Sequence, residues 1–332
     1  MASNPRAKAS AQRLLIAADV GGTHARLALV GIAADGHVEI LQHEKYACAA
    51  FAGLADIVEA FRRAAGAESV DEIAMACAGF VVEGEVVNEN LPWLVSVPQL
   101  RERLRSTHLA VVNDFKALAY AVADARDALV TLQRGVATDG TLPSVAIGPG
   151  TGLGSAVCIP QRGAMVVLAT EAGHAQLTPG SELELDLLRE FRRSEAYVKT
   201  EHALSGPGLV NLHRALARLH GVAPVFDTPA AISTAAHRGD ATALDTVRVF
   251  CGWLGSVVGD LVLGYGAFGG VHLAGGVLPQ LGDLLADSDF LARFLDKGPM
   301  RAALERVPVR LVEHGQLGIT GAAIWYLQHT GE

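Results

Sequence analysis

Apolar and polar positions divide the first third of the chain into strand-like and helix-like segments. Leu54, Ile57, Val58 and Phe61 recur at helical spacing and predict one apolar helix face near residues 53–65. The strand-like runs cover Arg13 to Val20, Ala25 to Val30, Glu39 to Ala47, Glu72 to Ala76 and Ala110 to Val112. Strands that begin as hairpins and continue with helices predict an α/β sheet with some antiparallel pairing.

A second series of segments begins at Ser144 with the run SVAIGPGTGLGSAVCI. It continues through helical patterns at 183–191, 208–219 and 243–264, and it ends in GGVHLAGGVLP, an apolar strand framed by glycines. Each series pairs a strand with a glycine-rich turn, which indicates a duplicated architecture without a repeat of fixed period. We therefore expect two lobes with a cleft between them.

Composition narrows the classes of partner. Half of the 332 residues are apolar, and a chain of this length exceeds a single core of usual size, which favours two domains. A net charge of −8 with only 27 Lys+Arg argues against a nucleic-acid partner. No stretch approaches the roughly 20 uninterrupted apolar residues of a membrane span, so we expect no membrane partner.

The first twelve residues and the cysteines bear on location. MASNPRAKASAQ is polar and basic and lacks the apolar core of a signal peptide, so it predicts a flexible tail over 1–12 and no export. Four cysteines stand far apart without CxxC spacing, at positions 48, 77, 158 and 251. We expect reduced thiols and a cytoplasmic protein.

Three glycine-rich turns are candidates for binding phosphate, because glycine lets backbone N–H groups approach a ligand closely. They are Gly21-Gly22-Thr23, the segment GPGTGLG over 148–154, and Gly275-Gly276. A plain tight turn is the alternative for each, and it is weakest for 148–154, where four glycines and a threonine fall within seven residues.

Two familiar nucleotide motifs do not fit these turns. A Walker A loop needs Lys-Ser/Thr after its last glycine, and none of the three has it. A dinucleotide fingerprint opens a helix, whereas GPGTGLG is followed by SAVCI, which predicts a strand. The turns would instead hold phosphates between hairpin-like loops.

Several polar residues stand at the ends of apolar runs. Asp19 lies inside such a run, where an unpaired carboxylate costs several kcal/mol to desolvate, so it pairs, meets a cation or makes a strand-end turn. Asn113 and Asp114 follow VV at the end of an apolar strand, where α/β folds collect functional residues. The pair also fits a helix cap, and both interpretations can hold together.

The segment TEAGH places Glu171 and His174 three residues apart, and Glu201 follows in YVKTEHALSGPG. Each has an ordinary alternative, Glu201 as a surface acid and His174 as a core histidine. A metal site of Glu171 and His174 lacks a third ligand at suitable spacing.

Together these motifs resemble the bacterial glucokinases, in the zinc-free group of the hexokinase and actin-like ATPase superfamily. The cysteine cluster that marks the related zinc-containing family is absent. The matching segments run in family order from about residue 14 to 325: ADVGGTHARLAL, NENLPW, VVNDFKALAYA, GPGTGLGSA, TEAGHAQLTP, YVKTEHALSGPGLVNLHRA, FGGVHLAGGVLP and GITGAA.

The resemblance implies a two-lobed actin-like (ribonuclease H-like) α/β fold and the ATP-dependent phosphorylation of glucose at its C6 hydroxyl. It makes Asp114 the general base that accepts the hydroxyl proton. The sugar would be bound by Asn113 and Asp114 together with Asn90, Glu171, His174 and Glu201.

For the nucleotide, the resemblance implies that Asp19 faces Mg²⁺ through water. The ATP phosphates would lie against Gly21, Gly22, Thr23, Gly150, Thr151, Gly152, Gly275 and Gly276. The domains are expected at 13–124 with 316–332 (small) and at 125–315 (large), after the tail, and we expect a homodimer.

Two departures from the family pattern concern the site, His24 in place of asparagine and Ala172 in place of a second glycine. Neither removes a charged group that the chemistry needs. A catalytically silent sugar sensor and a kinase for another hexose stay open as alternatives. A repressor would need a helix-turn-helix ahead of the first strand, for which the first dozen residues leave no room.

Overall fold

The computed structural model describes residues 13–87, 91–124, 130–136, 140–162, 164–312 and 316–330. The predicted tail over 1–12 and the predicted sugar ligand Asn90 lie outside these residues. The described chain forms two compact units, the first from Met1–Ala121 and Gln316–Glu332, the second from Val122–Gly315.

The first unit is built on a five-stranded sheet of order β3-β2-β1-β4-β8. The segment between β4 and β8 forms a small sheet of order β5-β6-β7. The hairpins β1-β2 and β2-β3 are antiparallel, whereas β1, β4 and β8 run parallel. Its elements up to the junction are β1 (Arg13–Val20), β2 (His24–Ile32), β3 (Val38–Ala47), α1 (Leu54–Ala65), β4 (Glu72–Cys77), β5 (Phe80–Val82), β6 (Glu85–Val87), β7 (Val95–Ser96), α2 (Val97–Leu104), β8 (His108–Asn113) and α3 (Asp114–Asp124).

The second unit contains a six-stranded sheet of order β12-β11-β10-β13-β14-β9 and most of the helices. Its elements are β9 (Val130–Gln133), β10 (Ser144–Pro149), β11 (Leu153–Gln161), β12 (Ala164–Thr170), α4 (Glu182–Phe191), α5 (Gly206–Leu219), α6 (Pro229–His237), α7 (Ala241–Tyr265), β13 (Gly270–Leu273), α8 (Leu278–Leu281), α9 (Asp283–Ala286), α10 (Phe290–Leu295), α11 (Arg301–Leu304) and β14 (Val309–Leu311). The chain then returns to the first unit as α12 (Leu317–Thr330).

The two large sheets share one strand plan. In each, two antiparallel hairpins lead outward from a central strand, β1 or β10, and two parallel strands lie on its other side. Because parallel strands end at the same edge of a sheet, the turns and polar residues that follow them collect at that edge. The glycine-rich turns selected from the sequence follow the two central strands and β13.

Both faces of the first sheet are covered. On one face, α1 and α2 bury Ile57, Phe61 and Leu100 against β1 and β4. On the other, α12 buries Ile319, Ala322 and Tyr326 against the same strands. Gly321 lets α12 touch α3, because a Cβ there would overlap the carbonyl of Ala117. The backbone contact fixes the position of α12.

The core of the second unit is centred on α7, which packs against α5, α6 and α10. Within the described residues, α7 is the one helix long and apolar enough to cross a membrane by length and composition. Phe250, Trp253, Leu254 and Val258 are fully buried in the protein core, and more than half of its most apolar window is buried. The burial is that of a core helix.

Candidate active site

Asp19 lies near the carboxyl end of β1 with a largely buried side chain. Its Oδ2 is 3.3 Å from the Arg26 guanidinium on the neighbouring strand β2. This ion pair offsets part of the desolvation free energy of a carboxylate in an apolar strand, because the cation replaces some of the lost hydration. Asp19 keeps 15% of its side chain exposed, so a ligand can reach it.

Helix α12 backs Asp19. A Cβ at Gly318, in the first turn of α12, would lie 2.6 Å from Asp19 Cγ and 2.9 Å from Oδ1. Real Cβ atoms do not approach that closely, so glycine is required for this packing. The motif GITGAA therefore contains one glycine that faces Asp19 and a second, Gly321, that faces α3.

The turn Gly21-Gly22-Thr23 joins β1 to β2 directly after Asp19. The Gly21 N–H donates to the His24 carbonyl at 3.0 Å, which closes the turn. The buried Cys48 fixes it from behind, because its thiol donates to the Gly21 carbonyl at 3.3 Å and its N–H donates to the Thr23 carbonyl at 3.0 Å.

Asn113 and Asp114 lie where β8 ends and α3 begins. The Lys116 N–H donates to Asn113 Oδ1 at 2.9 Å, so the helix-cap interpretation is confirmed. Asn113 Nδ2 donates to the Gly79 carbonyl at 3.0 Å, which leaves its second N–H for other partners. Asp114 is partly exposed, and its Oδ1 accepts the Phe115 N–H at 2.8 Å.

The thiol of Cys77 lies at the end of β4, in register with Asn113. Burial raises the pKa of this thiol, and the charges of Asp114 and Asp19 raise it further. Burial likewise raises the pKa of Cys158 to about 11. All four cysteines are buried, and none of them forms a disulfide bond.

The glycine loop 148–154 connects β10 to β11 as a hairpin. Pro149 pairs with Leu153, and the Gly150 N–H donates to the Gly152 carbonyl at 2.8 Å. The strand β11 begins at Leu153, so the exclusion of a dinucleotide fingerprint is confirmed. Thr151 is exposed at the tip of the loop.

The third glycine turn packs into this loop. Gly275 has φ +90°, and a Cβ there would lie 2.5 Å from the Pro149 carbonyl oxygen. A Cβ at Gly148 would in turn overlap the backbone of Ala274. Gly276 is exposed at the surface of this pair of loops. Gly148 and Gly275 therefore serve close approach between backbones, and Gly275 also adopts a left-handed φ, which Gly148, Gly150 and Gly152 do not.

Glu201 joins the glycine loop to the candidate sugar ligands. Its Oε2 accepts the Leu153 N–H at 3.1 Å, and its Oε1 lies 2.5 Å from Lys199 Nζ and 3.6 Å from His174 Nε2. Burial acts to raise the pKa of Glu201, but the hydrogen bonds from Lys199 and the Leu153 N–H outweigh it. The pKa is therefore lowered, and Glu201 is ionised at neutral pH.

Glu171 and His174 complete this group. His174 Nε2 lies 3.8 Å from Glu171 Oε2, and both side chains are more than half exposed. A β-bridge between Gln176 and Lys199 draws the two segments together. Within the described residues no group of three His, Cys, Asp or Glu is arranged to hold a metal ion. The exposed His174 is not a core histidine, and the partly buried Glu201 is not a surface acid.

The structure thus gathers Glu171, His174 and Glu201 beside the loop 148–154. In the other unit, Asp19 and Asn113 lie near the same carboxyl edge of the sheet, on β1 and β8 with β4 between them, and Asp114 follows Asn113 as the first residue of α3. Sequence reasoning missed Lys199, Gly318 and Cys48 as neighbours of these residues. Lys199 precedes Glu201 by two positions in a quoted motif, and Gly318 lies in another, so motif membership was the available signal.

The two departures from the family pattern can now be placed. His24 follows the first glycine turn, and burial, with the charges of Lys45 and Arg26, lowers its pKa. Ala172 is buried beside Gly173, whose own Cβ would lie 2.5 Å from the Leu153 carbonyl oxygen. The tight contact in this loop is therefore made by Gly173, and the extra methyl of Ala172 is accommodated.

Comparison with known proteins adds a family to this geometry. The family model Glucokinase matches residues 16–329. A "Glucokinase-like protein" of Xylella fastidiosa strain 9a5c is 47% identical over 331 residues, which is 98% of each chain. The "Glucokinase" of Chromohalobacter salexigens is 39% identical over 305 residues, covering 92% of this chain and 94% of the relative.

A solved structure agrees with the sequence relatives. The crystal structure of a glucokinase from an Antarctic psychrotroph is 33% identical and matches with a TM-score of 0.82, over 95% of this chain and 99% of that one. The expected actin-like α/β sugar-kinase fold is confirmed by this likeness together with the sheets described above.

Proposed function

This chain belongs to the glucokinase family and is a sugar-phosphorylating enzyme, and on that premise we propose that it transfers the γ-phosphoryl group of ATP to the C6 hydroxyl of glucose. The products are glucose 6-phosphate and ADP. The observation that carries the proposal is the hydrogen bond from the Leu153 N–H to Glu201 Oε2, which joins the carboxylate proposed to bind the hexose to the loop proposed to hold phosphate.

Asp114 is the proposed general base. Its carboxylate accepts the proton of the C6 hydroxyl while that oxygen forms a bond to the γ-phosphorus and the bond from phosphorus to the ADP oxygen breaks. Its position at the first turn of α3, directly after a strand end, suits this role because the capped helix holds the backbone still. Asn113 offers its second Nδ2 hydrogen to a sugar hydroxyl.

The hexose is the proposed partner of Glu171, His174 and Glu201. Ionised carboxylates suit a polyol, because each hydrogen bond from a hydroxyl to a charged acceptor contributes roughly 1.5–3 kcal/mol. Glu201 keeps acceptor capacity for sugar hydroxyls after its bonds to Leu153 and Lys199. Asn90, outside the described residues, stays a proposed sugar ligand from the resemblance.

The phosphates of ATP would lie against the backbone N–H groups of three turns: Gly21-Gly22-Thr23, Gly150-Thr151-Gly152 and Gly275-Gly276. Asp19 fits a Mg²⁺ site, since this ion is typically held by one or two carboxylates, waters and substrate phosphates, and Asp19 is a single accessible carboxylate beside a glycine turn. When bound, Mg²⁺ neutralises phosphate charge. Asp19 would orient it through water.

We further propose a cytoplasmic enzyme that acts as a homodimer, without a nucleic-acid or membrane partner. The relatives named above are bacterial glucokinases and a glucokinase-like protein. The net charge of −8 supports the absence of a nucleic-acid partner.

The test is steady-state phosphorylation of glucose, mannose, fructose and glucosamine with Mg-ATP, ADP or polyphosphate as donor. We expect glucose with Mg-ATP to give the highest kcat/KM. Asp114→Asn should lower kcat by about 10²–10⁴ while glucose binding persists, and Asp186→Asn, on the exposed face of α4, is the control. Full turnover in Asp114→Asn would show that Asp114 is not the general base. Glucose-dependent thermal stabilisation without turnover in the unmodified protein would instead indicate a sensor.

A further inference from the structure

Lys199 is a charged residue beside the candidate hexose site with no role in the proposed reaction. Its Nζ lies 2.5 Å from Glu201 Oε1, and its side chain is 38% exposed. The backbone of Lys199 is held by the bridge to Gln176, and the next residue, Thr200, donates its N–H to the Ala175 carbonyl at 2.8 Å. The backbone of Lys199 is therefore fixed, and its ammonium group is bonded to the Glu201 carboxylate.

The two oxygens of Glu201 serve different segments. Oε2 accepts the Leu153 N–H of the glycine loop, and Oε1 accepts from Lys199. A carboxylate accepts about four hydrogen bonds, so one position on each oxygen stays available for a sugar hydroxyl. The orientation of the carboxylate decides whether those positions face the sugar and whether the loop amide keeps its partner.

There is little room for Glu201 to adopt another orientation on its loop side. A Cβ at Gly152 would lie 2.7 Å from Glu201 Oε2, and a Cβ at Gly173 would lie 3.4 Å from the same atom. The carboxylate thus packs directly on backbone of the glycine loop and of the segment that carries His174. The other oxygen, Oε1, faces the side chains of Lys199 and His174, which can move more easily than backbone.

We propose that Lys199 is a positioning residue. Its ammonium holds Oε1 of Glu201 and thereby keeps Oε2 on the Leu153 amide, so that the hexose-binding carboxylate is held in a fixed position relative to the phosphate-binding loop. The sugar part of this inference rests on the proposed function, whereas the link from Lys199 through Glu201 to the loop does not.

The charges around Glu201 give the proposal a pH signature. Lys199 and His174 face its carboxylate directly, Glu171 lies behind His174, and the adjacent His202 packs edge-to-face against Phe191. Lys199 is the principal group that lowers the pKa of Glu201 against the effect of burial. Removing its charge therefore raises that pKa, and glucose affinity is lost at a higher pH on acidification.

The experiment compares Lys199→Met, which removes the charge, with Lys199→Arg, which keeps it. Lys297→Met is the matched control, because Lys297 Nζ forms a similar pair with Asp260 at 2.6 Å on elements outside the site. Glucose KM and kcat are measured from pH 5 to 8. Hydrogen exchange of the Leu153 amide is measured without sugar or nucleotide, with Glu201→Gln as reference.

For Lys199→Met we expect about a fivefold rise in glucose KM with kcat within about twofold, as for a partly screened ion pair. We also expect an acid limb displaced to higher pH and faster Leu153 exchange. Lys199→Arg should return the glucose KM, the acid limb and the Leu153 exchange rate to the values of the unmodified protein. Unchanged exchange at Leu153 in a folded Lys199→Met protein, or an unmoved acid limb, would overturn the inference. Absence of glucose turnover in the unmodified protein, with exchange behaving as expected, would refute the proposed function and leave the link to the loop standing.

Discussion

Replacing Gly318 by alanine tests whether α12 fixes the position of Asp19. The new Cβ would start 2.6 Å from Asp19 Cγ and 3.0 Å from its Cβ. Carbon atoms in contact prefer about 3.5–4.0 Å, so one partner must move by roughly 1 Å. Gly321, three residues further along the same side of α12, already lies against the backbone of Ala117 in α3, so this side of the helix is packed at close range over a full turn.

A side chain adjusts to overpacking more readily than a packed helix, so we expect the displacement to fall mainly on Asp19, whose carboxylate pairs with Arg26 at 3.3 Å. A misplacement of about 1 Å at a catalytic centre can cost about 10²-fold in rate. The overpacking should also lower the free energy of unfolding by about 1–3 kcal/mol. We expect Gly318→Ala to fold, to bind glucose normally and to lose about 10²-fold in kcat/KM for Mg-ATP.

The assay measures kcat/KM for Mg-ATP, glucose affinity by titration calorimetry and the melting temperature. Gly264→Ala is the control, since Gly264 is also a helical glycine but a Cβ there meets nothing within 4 Å. It should keep full activity and gain up to about 1 kcal/mol in stability from helix propensity. A folded Gly318→Ala protein with unchanged kcat/KM for Mg-ATP would refute the reasoning.

Three further predictions follow from other contacts. Gly275→Ala, which forces a side chain at φ +90° toward the Pro149 carbonyl, should raise the KM for Mg-ATP more than tenfold and leave glucose affinity within about twofold; equal loss for both substrates would contradict it. Arg293→Met removes the cation from the buried Glu184 and should lower the free energy of unfolding by about 3 kcal/mol in urea titrations, with kcat retained at 25 °C. Burial and the charge of Arg310 lower the pKa of His272 to about 4, so the unfolded chain binds this proton at higher pH than the native state does. As the pH falls from about 6.5 to about 4, the free energy of unfolding should therefore decrease by about 3 kcal/mol more in the unmodified protein than in a His272→Gln variant. Parallel curves of unfolding free energy against pH would contradict this.

The longer elements could be predicted from the sequence because their hydrophobic period is sustained. The predicted strand from Arg13 to Val20 is β1, and the helix pattern over 243–264 is α7 at Ala241–Tyr265. The shortest strands, β5, β7 and β14, have two or three residues and were not predicted, because so few positions show no period. The four-residue β13 was predicted, because glycines frame its apolar run. The pairing of the shortest strands is decided by the sheet they join.

The residues of the site could be selected from motifs, but their contacts could not. Glu171 and Glu201 are far apart in sequence, and a single β-bridge between Gln176 and Lys199 brings their segments together. Gly318 meets Asp19 across almost the whole chain. Such contacts depend on tertiary packing, for which local patterns carry no signal.

The discontinuity of the first unit has a consequence for synthesis on the ribosome. Its sheet strands are complete by Asn113, but the face that packs on α12 lacks Ile319, Ala322 and Tyr326 until the chain has been extended by about 200 further residues. At roughly 5–20 residues per second, this delay lasts on the order of ten to forty seconds. Throughout it, the apolar surface of β1 and β4 stays uncovered while the whole second unit is made. The nascent chain should therefore be open to chaperones that bind exposed apolar segments through the β1–β8 region, and their release should coincide with the emergence of α12.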